Sequence, residues 1–326
     1  MLTTDLTPRI AVVIPCYRVI DHIMGVIDGI GAEVSLIFAV DDCCPDGSGE
    51  HIEKNCKDPR VIVLRNVQNL GVGGAVMTGY RAAIDAGSDV IVKIDGDGQM
   101  DASLVPRLIA PIVKHQADYT KGNRFYDLTQ IGSMPLMRLL GNAGLSFMAK
   151  FSTGYWGLFD PTNGFTAISA RVATHLPYEK ISNRYFFETD ILFRLNILRA
   201  VVVDIPMHAF YGDEKSNLKI SKLFIEFLLK HMRNFFKRIF YNYCLRDMSI
   251  ASFELISGIA LFMFGIVFGG IHWVYGIAHN ITTPVGIIII AALCIIIGFQ
   301  LLLAFLNFDV ANVPRRAISP DLPFLK

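Results

Sequence analysis

At 326 residues with a formal net charge of +1, the chain has room for one large domain or two smaller ones, and no excess of positive charge points to nucleic acid. A hydrophobic fraction of 52%, concentrated after residue 250, predicts a soluble domain followed by a membrane tail. Six cysteines (Cys16, Cys43, Cys44, Cys56, Cys244 and Cys294) form no C-x-x-C pair and have no histidine at zinc spacing, which argues against a zinc site or disulfide framework and for reduced thiols.

Met1 to Arg9 lacks a basic segment followed by a long apolar core, so no cleavable signal peptide is expected. Ile10 to Ile14 is a compact apolar strand closed by Pro15. Val19 to Ile30 reads as a helix, and Val34 to Val40 is a second strand, closed by Asp41 and Asp42. Val61 to Leu64 is the third. The fourth, Val90 to Ile94, ends abruptly in Asp95-Gly96-Asp97-Gly98-Gln99. Alternating strands and helices imply right-handed crossovers and a largely parallel sheet, a nucleotide-binding α/β half in the first hundred residues. Two carboxylates at the carboxyl end of such a strand suit a hard cation, Mg²⁺ or Mn²⁺, but an isolated Asp-x-Asp reads equally as an acidic turn. An EF-hand beginning at Asp95 is excluded, because its sixth position is Met100 and its twelfth Pro106.

Asn69 to Ala75 is glycine-rich, yet Val76 stands where a dinucleotide fingerprint needs its third glycine, and no Walker A sequence occurs. Gly71, Ala75 and Gly79 recur every four residues, which predicts a helical face able to approach the sheet closely. Farther on, Ala117 to Thr120 reads as a strand leading into Lys121-Gly122-Asn123-Arg124. Leu136 to Phe151 reads as a helix carrying Arg138 near its start. A turn at Asp160-Pro161-Thr162-Asn163-Gly164 precedes a strand from Phe165 to Ser169. Phe186 to Ala200 is a helix bearing Glu188, Asp190 and Arg194, and Val201 to Ile205 is the last strand.

A polar loop, Tyr211 to Lys219, separates this domain from an amphipathic segment, Ile220 to Tyr243. Between Lys219 and Asp247 stand seven Lys/Arg and two Asp/Glu, which favours a membrane-surface helix over a core helix. Leu255 to Ile271 and Val285 to Leu306 are long enough, or nearly so, to cross a bilayer. His272 to Pro284 between them has no Lys or Arg, whereas Arg246, Arg315, Arg316 and Lys326 flank the pair, so both ends are expected in the cytoplasm. The resulting layout is a catalytic domain over 1–218, a surface helical region over 219–247, two transmembrane helices within 248–310 and a cytoplasmic tail over 311–326.

Taken together, Val13-Ile14-Pro15-Cys16-Tyr17, Val40-Asp41-Asp42-Cys43-Cys44-Pro45-Asp46-Gly47-Ser48, Asn69-Leu70-Gly71, Asp95-Gly96-Asp97-Gly98-Gln99, Gly122-Asn123-Arg124 and Lys215-Ser216 resemble, in order, the motifs of inverting family 2 glycosyltransferases with the GT-A fold. Within that family the resemblance is to polyprenyl-phosphate sugar synthases related to dolichol-phosphate mannose synthase and to bacterial undecaprenyl-phosphate glucosyltransferases. It departs at Asp41-Asp42-Cys43-Cys44-Pro45, where relatives often carry Asp-Asp-Gly-Ser-Thr. A Gln-x-x-Arg-Trp motif is absent after Glu188, which favours one transfer per acceptor.

The resemblance implies a nucleotide-sugar donor, a polyprenyl phosphate acceptor and a divalent cation, Mg²⁺ or Mn²⁺, held by Asp97 with Asp95 and Gln99 nearby. It puts Pro15, Tyr17 and Asp42 at the base and ribose, Lys215, Ser216 and Lys219 on a loop able to close over the diphosphate, and Arg124 and Arg138 on the acceptor phosphate. A lipid phosphate monoester is already an anion at neutral pH, so the protein's task is to position it. Asp160 is the preferred catalytic or aligning carboxylate, with Glu188 and Asp190 as rivals. The residues leave UDP-glucose and GDP-mannose open, along with a diacylglycerol acceptor and a non-catalytic membrane scaffold that kept the same shell. Self-association is compatible with paired membrane helices.

Overall fold

The apolar run Ile10–Cys16 forms β1, an interior strand of a seven-stranded sheet, in a computed structural model that describes residues 7–126, 136–207 and 220–325. The other strands are β2 (Leu36–Asp41), β3 (Val61–Arg65), β4 (Val90–Lys93), β5 (Tyr119–Asn123), β6 (Thr166–Ser169) and β7 (Val202–Pro206), in the order β3-β2-β1-β4-β6-β5-β7. β1 to β4 are mutually parallel and β5 is parallel to β7. β6 runs antiparallel to both its neighbours, pairing Lys93 with Thr166 on one side and Tyr119 with Ile168 on the other. The sheet is therefore the mostly parallel, mixed sheet of the GT-A type, and its apolar runs are continuous because helices cover both faces.

Helices α1 (Ile20–Asp28), α2 (Ser48–Asn55), α3 (Val72–Asp85) and α4 (Val105–Val113) lie in the crossovers of the first half. Gly79 faces Val13 of β1, and any side chain there would run into it, so α3 packs close to the sheet as the four-residue spacing predicts. After β5 come α5 (Leu136–Thr153) and, after β6, α6 (Phe187–Leu198). Ile14, Ile23, Val92, Val105 and Phe165 belong to one buried core under this sheet.

α7 (Ile220–Phe240) continues into one π-helical turn, Tyr241–Arg246. α8 (Ile250–His279) and α9 (Val285–Ala311) are both long and apolar enough to cross a membrane, and both run past the bounds expected from sequence. The chain divides into two compact units, residues 1–235 with 314–326, and residues 236–313.

Within the second unit, Ala251, Gly258 and Gly265 of α8 and Ala291, Gly298 and Phe305 of α9 are buried at seven-residue intervals. Gly258 packs on Gly298 and Gly265 on Ala291, the small-residue approach that lets membrane helices pair closely. Asp309 accepts from Arg238 twice, Nη1 to Oδ1 at 2.6 Å and Nη2 to Oδ2 at 3.0 Å, and from the Tyr243 hydroxyl at 2.7 Å.

Within the first unit, the C-terminal segment docks on Asp118. The Ile318 and Ser319 amides donate to that fully buried carboxylate at 3.0 and 2.7 Å, beside the Val201 amide at 2.8 Å.

Candidate active site

β1 pairs with β2 on one side and β4 on the other, so the chain reverses its order of strand addition there, and the carboxyl ends open into a crevice. A cavity of about 440 Å³ occupies it. Five residues expected from sequence border this cavity: Pro15 and Tyr17 after β1, Asp42 after β2, and Asp95 and Asp97 after β4.

Asp42 is buried, and its carboxylate accepts from Asn66 Nδ2 (2.7 Å), the Leu70 amide (2.9 Å) and the Gly71 amide (2.7 Å). It thus pins the Asn69-Leu70-Gly71 turn at the cavity wall. Gly71 sits at φ +86°, and a side chain there would meet the Asn183 carbonyl and Arg184, so glycine is required by both backbone and space. Asp41 organises the next loop, accepting from the Cys44 amide (2.7 Å) and the Gly49 amide (2.9 Å).

At the end of β4, Asp97 Oδ1 accepts from the Gln99 amide at 3.0 Å. Gln99 itself is not among the residues lining the cavity. Asp95 Oδ1 pairs with Lys93 Nζ at 2.9 Å, and Lys93 Nζ also donates to Glu188 Oε1 at 3.2 Å. Burial works against the Lys93 charge, but the Asp95 and Glu188 carboxylates more than offset it and hold the ammonium's pKa above its ordinary value.

Among the described residues no three His, Cys, Asp or Glu side chains converge to cage a metal. Two aspartates on a cavity wall fit a hard cation that takes its remaining oxygens from phosphate and water, the usual mode for Mg²⁺.

Beside this edge lies a second polar cluster. Arg124 grips Asp160 bidentately, Nε to Oδ2 at 2.7 Å and Nη2 to Oδ1 at 3.0 Å, and Asn163 Nδ2 adds a bond to Oδ2 at 3.3 Å. Burial alone would raise the Asp160 pKa; the Arg124 contacts reverse this and hold it below the usual carboxylate range. Lys121 Nζ donates to the Asn163 carbonyl at 2.6 Å, and burial brings its pKa down to about 8 against the pull of Asp160, Glu188 and Asp204. The clusters adjoin through Gly164, where a side chain would collide with both Lys93 Nζ and Asp95 Oδ2.

The rivals to Asp160 are engaged elsewhere. Glu188 holds Lys93, and Asp190 accepts from the Ser182 amide (2.9 Å) and Asn234 Nδ2 (3.1 Å). Arg138 stands in the first turn of α5. Lys215, Ser216 and Lys219 lie outside the described residues. Sequence reasoning missed Arg184 and Tyr185, which border the cavity from the segment before α6. Arg184 is the one Lys or Arg among the described lining residues, facing a wall that holds Asp42, Asp95 and Asp97.

Residues 11–176 match the model of the family described as Glycosyl transferase family 2, just over half of the chain. The chain belongs to that family. This family 2 glycosyltransferase is 29% identical over 178 residues to a UDP-N-acetylglucosamine–dolichyl-phosphate N-acetylglucosaminyltransferase of Methanococcus voltae, across 53% of this chain and 70% of the relative. It is 29% identical over 217 residues to an undecaprenyl-phosphate mannosyltransferase of Micrococcus luteus, across 65% of this chain and 88% of the relative. Among solved structures it resembles glucosyl-3-phosphoglycerate synthase from Mycobacterium tuberculosis, here in complex with phosphoglyceric acid, at a TM-score of 0.53 and 17% identity over 71% of this chain and 80% of that one. That likeness carries the fold.

Proposed function

We propose that this glycosyltransferase moves a single hexose from a nucleotide sugar, UDP-glucose or GDP-mannose, to polyprenyl phosphate, with inversion at the anomeric carbon. The observation that carries the reading is the gathering of Pro15, Tyr17, Asp42, Asp95 and Asp97 around one cavity at the carboxyl ends of β1, β2 and β4. The printed activities of the two relatives, transfer to dolichyl and undecaprenyl phosphate, support the acceptor class. The two long apolar helices suit an acceptor that resides in a bilayer.

Tyr17, an exposed residue at the cavity, offers a ring on which a base can stack. Asp95 and Asp97 would hold Mg²⁺ or Mn²⁺, which when bound supplies positive charge opposite the departing diphosphate. Arg184 adds a guanidinium to the same wall, and the loop containing Lys215, Ser216 and Lys219 is assigned to close over the phosphates by its motif.

The acceptor phosphate arrives ionised, so the protein needs cations to place it and no strong base. Arg124 and Arg138 take that role. Asp160 fixes the Arg124 guanidinium in one orientation, which makes it the aligning carboxylate. The charge pattern of the chain supports a catalytic domain through residue 218 on the cytoplasmic face, a surface helical region over 219–247, spans within 248–310 and a cytoplasmic tail over 311–326.

The test is a panel of radiolabelled nucleotide sugars incubated with the purified protein and polyprenyl phosphate. A labelled lipid released by mild acid is expected with one donor. A label stable to acid but cleaved by alkali would assign a diacylglycerol acceptor instead, and no lipid label with any donor would overturn the reading.

A further inference from the structure

Lys93 occupies the last position of a strand buried along its whole length, in register with Val13 of β1 and Thr166 of β6. Its side chain is 1% exposed. Replacing a buried charge pair by apolar residues of similar size is often neutral or stabilising, so a lysine here serves something besides stability. Its ammonium touches two carboxylates that come from distant parts of the chain, Asp95 at 2.9 Å and Glu188 at 3.2 Å. Without it those like charges would face each other with no cation between them, and repulsion would favour Asp95 turning toward the cavity. Gly164 is an independent sign that this arrangement is built in, since the absence of a side chain there leaves room for both Lys93 Nζ and Asp95 Oδ2.

We propose that Lys93 is a positioning residue: anchored by Glu188, it holds one oxygen of Asp95 so that the Asp95 and Asp97 carboxylates keep the mutual geometry a divalent cation requires. The inference deepens the proposed function and rests on its metal assignment. Side chains that orient a metal's carboxylates matter nearly as much as the carboxylates themselves. Glu188 thereby has a task of its own, which removes it from contention as the aligning carboxylate.

The test uses the full-length protein in detergent, with Mn²⁺ titrated by calorimetry and by its electron paramagnetic resonance signal in the presence of saturating UDP and, separately, GDP. Lys93→Met should weaken Mn²⁺ binding by about 10–100-fold while leaving nucleotide binding without metal unchanged. Glu188→Gln, which keeps the Lys93–Asp95 contact, should cost less than Lys93→Met. Asp97→Asn is the control for the metal assignment and should lose Mn²⁺ binding altogether.

Native Mn²⁺ affinity in Lys93→Met, with loss in Asp97→Asn, would overturn the positioning role alone. Native affinity in Asp97→Asn would overturn the metal assignment and the inference with it. If Lys93→Met does not fold, Gly164→Ala displaces the same ammonium and carboxylate from outside; unchanged Mn²⁺ binding in that variant sinks the proposal.

Discussion

Arg124 and Asp160, 36 residues apart in sequence, meet in a two-pronged ion pair with bonds of 2.7 and 3.0 Å. Asp160 is buried and the Arg124 side chain is 31% exposed, so the arginine arrives from the solvent side and closes over a carboxylate that cannot reach water. Removing the guanidinium leaves a buried charge that keeps, among the described residues, the Asn163 side-chain amide and a long bond from the Arg124 backbone N–H. Arg124→Ala should therefore cost roughly 2–3 kcal/mol of stability, less than a fully buried pair because one partner is partly solvated. It should also lower use of the lipid acceptor. Thermal unfolding together with turnover checks both; an unchanged melting temperature would contradict the pairing.

Asp97 borders the cavity at the end of β4. Its bond to the Gln99 amide is local. Asp97→Ala should abolish metal-dependent turnover, because it removes one of the two carboxylates that would hold the cation. Excess EDTA should stop the native enzyme equally. Full activity in EDTA is the outcome that would discard the metal assignment.

How far the sequence could be read depended on whether the deciding signal was local. β1 to β4 stand out because each is an apolar run, and three of them end at a proline or an aspartate. The reversed direction of β6 carries no signal in Thr166–Ser169 and had to come from pairing. α2 escaped notice because Ile52 is its only large buried apolar side chain, and α4 because Pro106 and Pro111 look like breakers. Pro106 lies in the first turn, where a missing N–H costs nothing, and the helix ends two residues after Pro111. In the site, Asp95 and Asp97 were legible as carboxylates at a strand edge. Arg184 and Tyr185 reach the cavity from beyond residue 180 with no spacing to betray them. Lys93 looked like one polar residue inside a strand, and only the fold shows which carboxylates it joins.

His231 gives the protein an acid-sensitive joint. Its Nδ1 lies 2.8 Å from the Ser152 hydroxyl, its ring meets Phe186 edge-on, and burial brings its pKa from 6.5 to about 4. Between those values the unfolded chain binds a proton that the folded chain refuses. Stability from this group is full above pH 6.5 and declines as pH falls toward 4, by roughly 3 kcal/mol over the whole interval. His231→Gln should flatten the acid limb of melting temperature between pH 6.5 and 4.5. Parallel acid limbs in the native and variant proteins would show that His231 is not its source.

Asp118 is completely buried and takes amide hydrogens from Val201 and from Ile318 and Ser319 of the C-terminal segment. Arg171 reinforces the same docking, donating to the Pro320 carbonyl at 3.4 Å and lying 5.6 Å from the Phe324 ring. Hydrogen bonds to a charged group contribute about 1.5–3 kcal/mol each, and a carboxylate stripped of its donors in a dry site costs more than the bonds themselves. Deleting residues 317–326 should therefore destabilise the first unit by at least about 3 kcal/mol. Adding Asp118→Ala to the deletion should recover part of that loss, because it removes the orphaned charge. Recovery identifies Asp118 as the group the segment satisfies; a further loss of the same size as the deletion would show the two to act independently.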